Sequence, residues 1–257
     1  MKISVITVVY NDKDHIVHTI DSVVSQSARC RMEYIVVDGA STDGTSDLIK
    51  EHLQHIDTYI CEKDSGIYNA MNKGMNCATG DFVIFMNSGD SFCSQNVVER
   101  VLDAIGQAPQ VPALLYGDYR EMKGSTFSSP IPARKFDKIW YGQVASHQST
   151  FFNLHFLRSR GWQYDESYKI AADYKLALQV IHGANRNILQ VPFCVSNFEV
   201  SGVSNQQQNL GLEEANRARR EVLGWGCIRE KALTILLLIS RFARQHGGFI
   251  YKKMRRL

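Results

Sequence analysis

Gly80-Asp81-Phe82-Val83-Ile84-Phe85-Met86-Asn87-Ser88-Gly89-Asp90 is the stretch around which the rest of the chain is read. Its apolar residues, Phe82 to Met86, make a run of strand length with no helical period. Such a run reads as a strand buried on both faces. It stops in a small polar turn closed by an acid. Ligands of open α/β sheets sit beyond the carboxyl ends of the strands, so Asp90 is delivered where a site is expected. A carboxylate on a short glycine-containing turn can approach a divalent metal and a diphosphate closely. The competing reading makes Asp90 a cap for the helical segment from Gln95.

Upstream, the same grammar repeats. Ile3 to Val9 reads as a central strand ending in Tyr10-Asn11-Asp12. Ile16, Val17, Ile20, Val23 and Val24 then recur at helical spacing, with Asn11 or Asp12 as the expected cap. Tyr34 to Val37 is a second buried strand, ending in Asp38-Gly39-Ala40-Ser41-Thr42-Asp43-Gly44, and a helix carrying Leu48, Ile49, Leu53 and Ile56 follows. A short strand, Thr58 to Cys61, leads to Glu62-Lys63-Asp64-Ser65-Gly66, and a helix from Ile67 to Cys77 feeds the Phe82 strand. Strands alternating with helices predict a parallel sheet of right-handed βαβ units. Three strands therefore end in acids, Asp38, Asp64 and Asp90, and a fourth ends in Tyr10-Asn11. Any one acid is an ordinary turn residue. All of them on one sheet edge suggest a nucleotide site, with Asp38 and Asp64 accepting from a base or ribose.

The edge is not a dinucleotide site, because no G-x-G-x-x-G follows the first strand to cradle a pyrophosphate on a helix N-terminus. Without that cradle a cation must carry the phosphate charge. The acids from Asp38 to Asp43 also fail the EF-hand pattern.

Composition bounds the rest. The chain has 257 residues and 29.1 kDa, 44% hydrophobic and 21% charged, as in an ordinary globular protein. The net charge of +3 is uneven. Residues 227–257 hold eight Lys/Arg against Glu230 alone, which leaves 21 basic and 25 acidic side chains in residues 1–226. A mildly acidic body with a basic tail points to an anionic partner. The six cysteines are scattered with no C-x-x-C pair, so buried free thiols are expected, with neither a zinc site nor a disulfide framework. The apolar N-terminus is too short and β-branched for a signal peptide, and no apolar run approaches a membrane span.

The motifs together carry a resemblance. The strand to Tyr10-Asn11, the run Val36 to Thr45, Asp64-Ser65-Gly66-Ile67-Tyr68-Asn69-Ala70-Met71-Asn72-Lys73-Gly74 and Phe85 to Asp90 resemble, in order, family 2 glycosyltransferases of GT-A fold. The likeness is greatest to bacterial capsule and exopolysaccharide enzymes of the colanic-acid type. The resemblance implies that Asp38 contacts the base, that Tyr10 stacks near it, and that Asp90 is the last acid of the D-x-D motif, holding Mn²⁺ or Mg²⁺. It also places Val9, Asn11, Asp64, Tyr68, Asn72, Lys73, Ser88 and Gly89 along the donor. Asn87 and Gly89 stand where the family commonly has acids.

Beyond the turn, Gln95 to Gly106 reads as a packing helix, Leu114 to Asp118 as a strand and Lys123 to Lys135 as a loop. His147-Gln148 precedes paired aromatics, a position that in the family could touch donor phosphate or acceptor, although a lone His is commonly structural. Asp173 begins a helix running to Gly183 as its cap. An acid there is favoured by the helix dipole. The pattern Asp173-Tyr174-Lys175-Leu176 nonetheless resembles the family's catalytic-base motif, with Ala172 in place of the usual Glu. Asp165 and Glu166 read as positioning or structural residues. A last strand within Asn187 to Val200 precedes Gly202-Val203-Ser204, which looks like an acceptor-side loop.

The expected architecture is a GT-A catalytic domain over 1–205, with a donor half (1–110) and an acceptor half (111–205) in one Rossmann-like mixed sheet flanked by helices. A basic helical extension spans 206–257. The expected activity is inverting transfer of a sugar from a UDP- or GDP-sugar to a hydroxyl, with Asp173 as base and Asp90 on the metal. The acceptor implied is a polyprenyl-diphosphate-linked saccharide in capsule, exopolysaccharide or O-antigen assembly. Nucleic acid is not an expected partner. The location implied is cytoplasmic, at the inner face of the cytoplasmic membrane, with the tail on anionic lipid. A sugar nucleotidyltransferase is disfavoured because Tyr10-Asn11-Asp12 lacks a basic, glycine-rich loop. A non-catalytic binding domain would not need Asp173.

Overall fold

The computed structural model describes residues 1–200 and 207–246, without the side chains of Gln208, Leu238 and 240–246. The Gly202-x-Ser204 turn, the 205/206 boundary and the basic cluster Lys252 to Arg256 lie outside the described residues.

The first 110 residues are built as the apolar runs dictate. Strands β1 (Ile3–Val9), β2 (Met32–Asp38), β3 (Thr58–Cys61) and β4 (Phe82–Phe85) lie parallel in the order β3-β2-β1-β4. Every residue of β1, β2 and β4 is buried, because helices cover both faces. Those helices are α1 (Ile16–Val24), α2 (Thr45–Lys50), α3 (Ile67–Cys77) and α4 (Val97–Gln107). Two local expectations fail. Helix α1 has no side-chain cap, since Asp12 contributes only its carbonyl to the amides of His15 and Ile16. The second helix stops at Lys50, and Leu53 lies in a separate 3-10 turn, 43% exposed.

The strands after residue 110 make the sheet mixed. Strand β8 (Thr150–Asn153) runs antiparallel to β4 and to β6 (Leu114–Lys123). Strand β9 (Ile188–Glu199) pairs parallel with β6, and the two-residue β5 (Ser91–Phe92) pairs antiparallel with β9. The expected 123–135 loop opens with β7 (Thr126–Phe127), which folds back on β6. Helix α5 (Leu154–Arg160), capped by the Asn153 side chain on Phe156 N, has no counterpart in the sequence reading. Helix α6 spans Ala172–Gly183, so Gly183 is its last residue and Ala184 the cap.

The cysteines correct the sequence reading. Cys93 and Cys194 form a disulfide with Cα atoms 6.1 Å apart, because β5 and β9 bring together positions 101 residues apart in sequence. Cys30, Cys61, Cys77 and Cys227 are free and exposed rather than buried.

Helix α7 (Gln208–Leu223) is part of the packed body rather than an appendage. Its Ala218 and Arg219 are in the interior, with Arg219 donating to the carbonyls of Trp140 and Tyr141. Its Glu214 carboxylate accepts from the amides of Lys169, Ile170 and Ala171 at 2.8–2.9 Å, capping the entry to α6 from another helix. Buried donors left without an acceptor cost about 1–3 kcal/mol each. Replacing Glu214 by Ala should therefore lower stability by on the order of 3 kcal/mol, read as a fall in the urea midpoint. Gln at this position can place its one oxygen where Oε2 accepts from Ile170 and Ala171, and should recover part of the loss.

Candidate active site

The turn after β4 is built by constraints on three sides. Thr7 Oγ1 donates to Met86 O at 2.7 Å, and Ser88 N reaches Val8 O. Thr19, a polar residue on the buried face of α1, donates to Asp90 O at 2.8 Å and accepts from Gly89 N at 3.0 Å. Gly89 has φ +93°, a conformation that side chains disfavour. Asp90 is therefore not a helix cap. It points inward, 4% exposed, with Oδ1 accepting from Glu199 N at 2.9 Å and Oδ2 from Gln148 Nε2 at 2.7 Å. Burial pushes its carboxyl up to about 7, aided by the charges of Glu199 and Asp12 and opposed by those two hydrogen bonds.

Whether a divalent cation suits this turn can be judged from its oxygens. The side-chain oxygens Asn87 Oδ1 and Ser88 Oγ are buried without a hydrogen-bond partner. Each Asp90 oxygen takes one donor and a carboxylate oxygen has two lone pairs, so acceptor capacity remains. Among the described residues no group of three or more His, Cys, Asp or Glu is assembled for a metal. A hard cation held by few protein oxygens and completed by substrate phosphates fits this set, whereas a dedicated protein cage does not.

The other strand-end residues lie on the β1 to β3 edge. The backbone of Gly39 is crowded: a Cβ there would meet Asp64 Oδ2 at 2.6 Å and Tyr10 Cδ2 at 3.2 Å. Glycine thus lets the exposed Tyr10 ring and the Asp64 carboxylate flank one stretch of backbone. Asn11, at φ 50°, accepts from Thr42 N at its Oδ1 and donates its own backbone amide to Ser41 Oγ, locking the first two loops together. Val9 is buried and its carbonyl holds Gly39 N at 3.0 Å.

Asp38, which the family resemblance puts on the base, sits at the end of β2. It is fully buried, and its carboxylate accepts from Ser41 N, Ser41 Oγ, Ser46 Oγ and Tyr59 Oη, with Cys61 Sγ at 3.6 Å. Burial raises its carboxyl, but those donors fill its lone pairs and bring it below the usual carboxylate value. It builds the loop, and Asp64 is the acid left beside Tyr10.

The Asp64 to Gly74 motif also turns largely inward. Asn72 pairs with both backbone groups of Tyr164 and donates to Glu166 Oε1 at 3.0 Å, while Asn69 donates to Glu166 Oε2. Lys73 reaches Lys63 O and Glu62, both at 2.8 Å. Tyr68 stacks on Tyr164 with centroids 5.6 Å apart, and its phenol is raised by burial and by the nearby Asp173 charge. Asp165 is drawn to about 2 by Lys175 and by hydrogen bonds from Ser167, against its own desolvation. These contacts bind the donor half to the segment that leads into α6.

At the start of α6, Asp173 is half-buried, with Oδ2 accepting from Gln143 Nε2 at 2.9 Å. His147 packs between Phe85 and Tyr164 (centroids 5.2 and 5.8 Å), and burial lowers its imidazole while Asp173 pulls the other way. One short segment thus touches both acids, Asp173 through Gln143 and Asp90 through Gln148. Ser146 Oγ orients the Gln148 carboxamide at 2.5 Å. Sequence reasoning did not find Gln143, Thr19, Glu199 or Glu214. A threonine within the apolar stripe of α1 was the one visible signal. The glutamine contacts depend on loop geometry that no periodicity encodes.

The glycosyl transferase family 2 profile matches residues 4–161. The chain belongs to that family. An uncharacterized glycosyltransferase of Mycobacterium tuberculosis is 32% identical over 209 residues, covering 80% of this chain and 78% of the relative. A PGL/p-HBAD biosynthesis glycosyltransferase of Mycobacterium bovis is 28% identical over 158 residues, 60% of each chain. Among solved structures, S. aureus TarS 1–349 in complex with UDP-GlcNAc matches 97% of this chain and 73% of that one, with TM-score 0.71 and 17% identity. A mannosyltransferase from Pyrobaculum calidifontis in complex with GDP-Man and Mn²⁺ matches 99% and 78%, with TM-score 0.67 and 15% identity. These likenesses establish the GT-A-like fold: a mixed sheet flanked by helices, with C-terminal helices. The relatives of this family 2 glycosyltransferase are not specifically capsule or exopolysaccharide enzymes. Its donor motifs fall inside the matched region, and Asp173 lies beyond it.

Proposed function

We propose that this protein is an inverting glycosyltransferase that uses a UDP- or GDP-sugar, with Asp90 and Asp173 as the two working acids. The observation that carries the reading is the pair of carboxamides, Gln148 on Asp90 and Gln143 on Asp173. Acids far apart in sequence thereby face one segment, as leaving-group stabilisation and proton removal on one substrate pair require.

In this reading Tyr10 and Asp64 take the base and ribose, while Asp38 holds the loop that shapes their slot. Asp90, Asn87 and Ser88 would hold Mn²⁺ or Mg²⁺, which neutralises the departing diphosphate when bound. Gln148 and the Glu199 amide keep the Asp90 carboxylate aimed. Gln143 occupies one oxygen of Asp173 and turns the other toward the acceptor hydroxyl, which loses its proton as the new glycosidic bond forms. Support for a sugar-nucleotide donor comes from the UDP-GlcNAc and GDP-Man bound to proteins of the same fold. The acceptor class is a lipid-linked saccharide, such as a polyprenyl-diphosphate-borne glycan of capsule, exopolysaccharide or O-antigen assembly. The location that goes with it is the cytoplasmic membrane's inner face.

The test is slow donor hydrolysis across UDP- and GDP-sugars, with and without Mn²⁺, alongside a thermal-shift panel of the same donors. One base should raise the melting temperature and support hydrolysis only with metal. No shift and no hydrolysis with any sugar nucleotide would remove the donor assignment.

A further inference from the structure

The C-terminal helix α8 (Cys227–His246) has two unlike faces. Leu233 is buried against the body at 4% exposure, and Glu230 is tucked in at 7% with Arg220 at 2.6 Å from its carboxylate. The opposite face is open. Ile228, Ile235, Leu236 and Ile239 are 82%, 58%, 41% and 55% exposed, and Ala232 between them is exposed as well. Positions 228, 232, 235, 236 and 239 follow one helical stripe. Large aliphatic residues at such spacing are not scattered surface residues but a continuous apolar strip.

The charge on this helix is basic but for one residue. Its sole acid is the buried, paired Glu230, while Arg229 and Lys231 flank the strip in solvent. Arg241 and Arg244 lie in its last turns, and Lys252, Lys253, Arg255 and Arg256 follow in the sequence. The helix starts two residues after Trp225, which with Trp140 lines an open, largely apolar groove of about 480 Å³. Indole rings favour the boundary between lipid headgroups and acyl chains. No helix among the described residues is long and apolar enough to cross a membrane. An aliphatic strip edged by cations suits lying on an anionic bilayer, with the apolar side in the headgroup boundary.

We propose that the outer face of α8, centred on Ile228, Ile235, Leu236 and Ile239, docks this protein on an anionic lipid surface. The strip supplies the inserted contact and the basic residues supply the attraction to the headgroups. This surface is separate from the acids of the site, so the proposal stands or falls apart from the donor chemistry. It moves the membrane contact from the terminal basic cluster, as the sequence suggested, onto a face of the folded helix.

The experiment uses the full chain and vesicles of phosphatidylglycerol with phosphatidylcholine, against phosphatidylcholine alone. Sedimentation and the emission shift of the tryptophans are read at low and high salt. The protein should bind the anionic vesicles and leave phosphatidylcholine largely unbound. High salt should weaken binding, since charge attraction decays over about 10 Å at 0.1 M. Ile235→Glu with Ile239→Glu should lower vesicle binding at least tenfold while unfolding and donor turnover stay as in the parent. Ile228→Glu, at the most exposed position, is the second variant should the double change disturb folding. Absence of binding to anionic vesicles, or equal binding by the parent and both variants, would overturn the proposal. So would gel filtration showing a dimer that the variants convert to monomer without any vesicle binding, because the strip would then be covered by a second copy of this chain.

Discussion

Asp173→Asn should leave donor binding at the parent level and reduce transfer by at least about a hundredfold, within the 10²–10⁴ range of general-base assistance. Asn keeps the shape of Asp and can still accept from Gln143 Nε2, so the start of α6 is undisturbed. What it loses is the oxygen that takes the acceptor proton. The helix reading of Asp173 predicts something different: loss of an acid in the first turn costs a few tenths of a kcal/mol up to about 1 kcal/mol and leaves turnover almost unchanged. Single-turnover transfer and donor affinity, measured on the same preparation, separate the two. Transfer within a few-fold of the parent would end the base assignment and send the search to Asp165.

Asp90→Asn should abolish metal-dependent donor binding and, unusually for an active-site change, stabilise the fold at neutral pH. The buried carboxyl titrates near 7 instead of 3.8, so the folded state holds a proton that the unfolded state has released. For a carboxyl raised in this way the stability is complete below the unfolded value and is lost as pH rises through the folded one. About three pH units correspond to on the order of 4 kcal/mol, relieved in the Asn variant. The carboxamide of Asp90→Asn can be accommodated: its oxygen accepts from Glu199 N, and Gln148 can turn its own oxygen toward the new amide while donating to Ser146 Oγ. The checks are unfolding at pH 5 and pH 8, and Mn²⁺-dependent donor binding across the same range. In the parent, binding should fall as the pH drops through about 7, since a protonated Asp90 no longer holds a cation. Metal-dependent donor affinity equal to the parent in Asp90→Asn would refute the cation role. Unfolding that is no more resistant at pH 8 would refute the buried-charge account.

Much of this protein was legible in its residues. The apolar runs Ile3–Val9, Tyr34–Val37 and Phe82–Met86 specify strands buried on both faces, and their alternation with helices makes them parallel. The acids at their carboxyl ends then fall on one edge by geometry alone, and the order of motifs identified the family. Only the tertiary structure decided which of those acids is available. Asp38 and Asp90 look alike in sequence, each an acid after a buried strand. One is filled by Ser41, Ser46 and Tyr59, while the other takes a single donor on each oxygen. The disulfide of Cys93 with Cys194, the Glu214 clasp on α6 and the glutamine pair on Asp90 and Asp173 are likewise products of sheet order and loop path. Periodicity reports which face a residue turns to the core, a property of its near neighbours in the chain. A carboxylate's partners are set by residues brought to it from distant segments, and that information exists only once the chain has closed on itself.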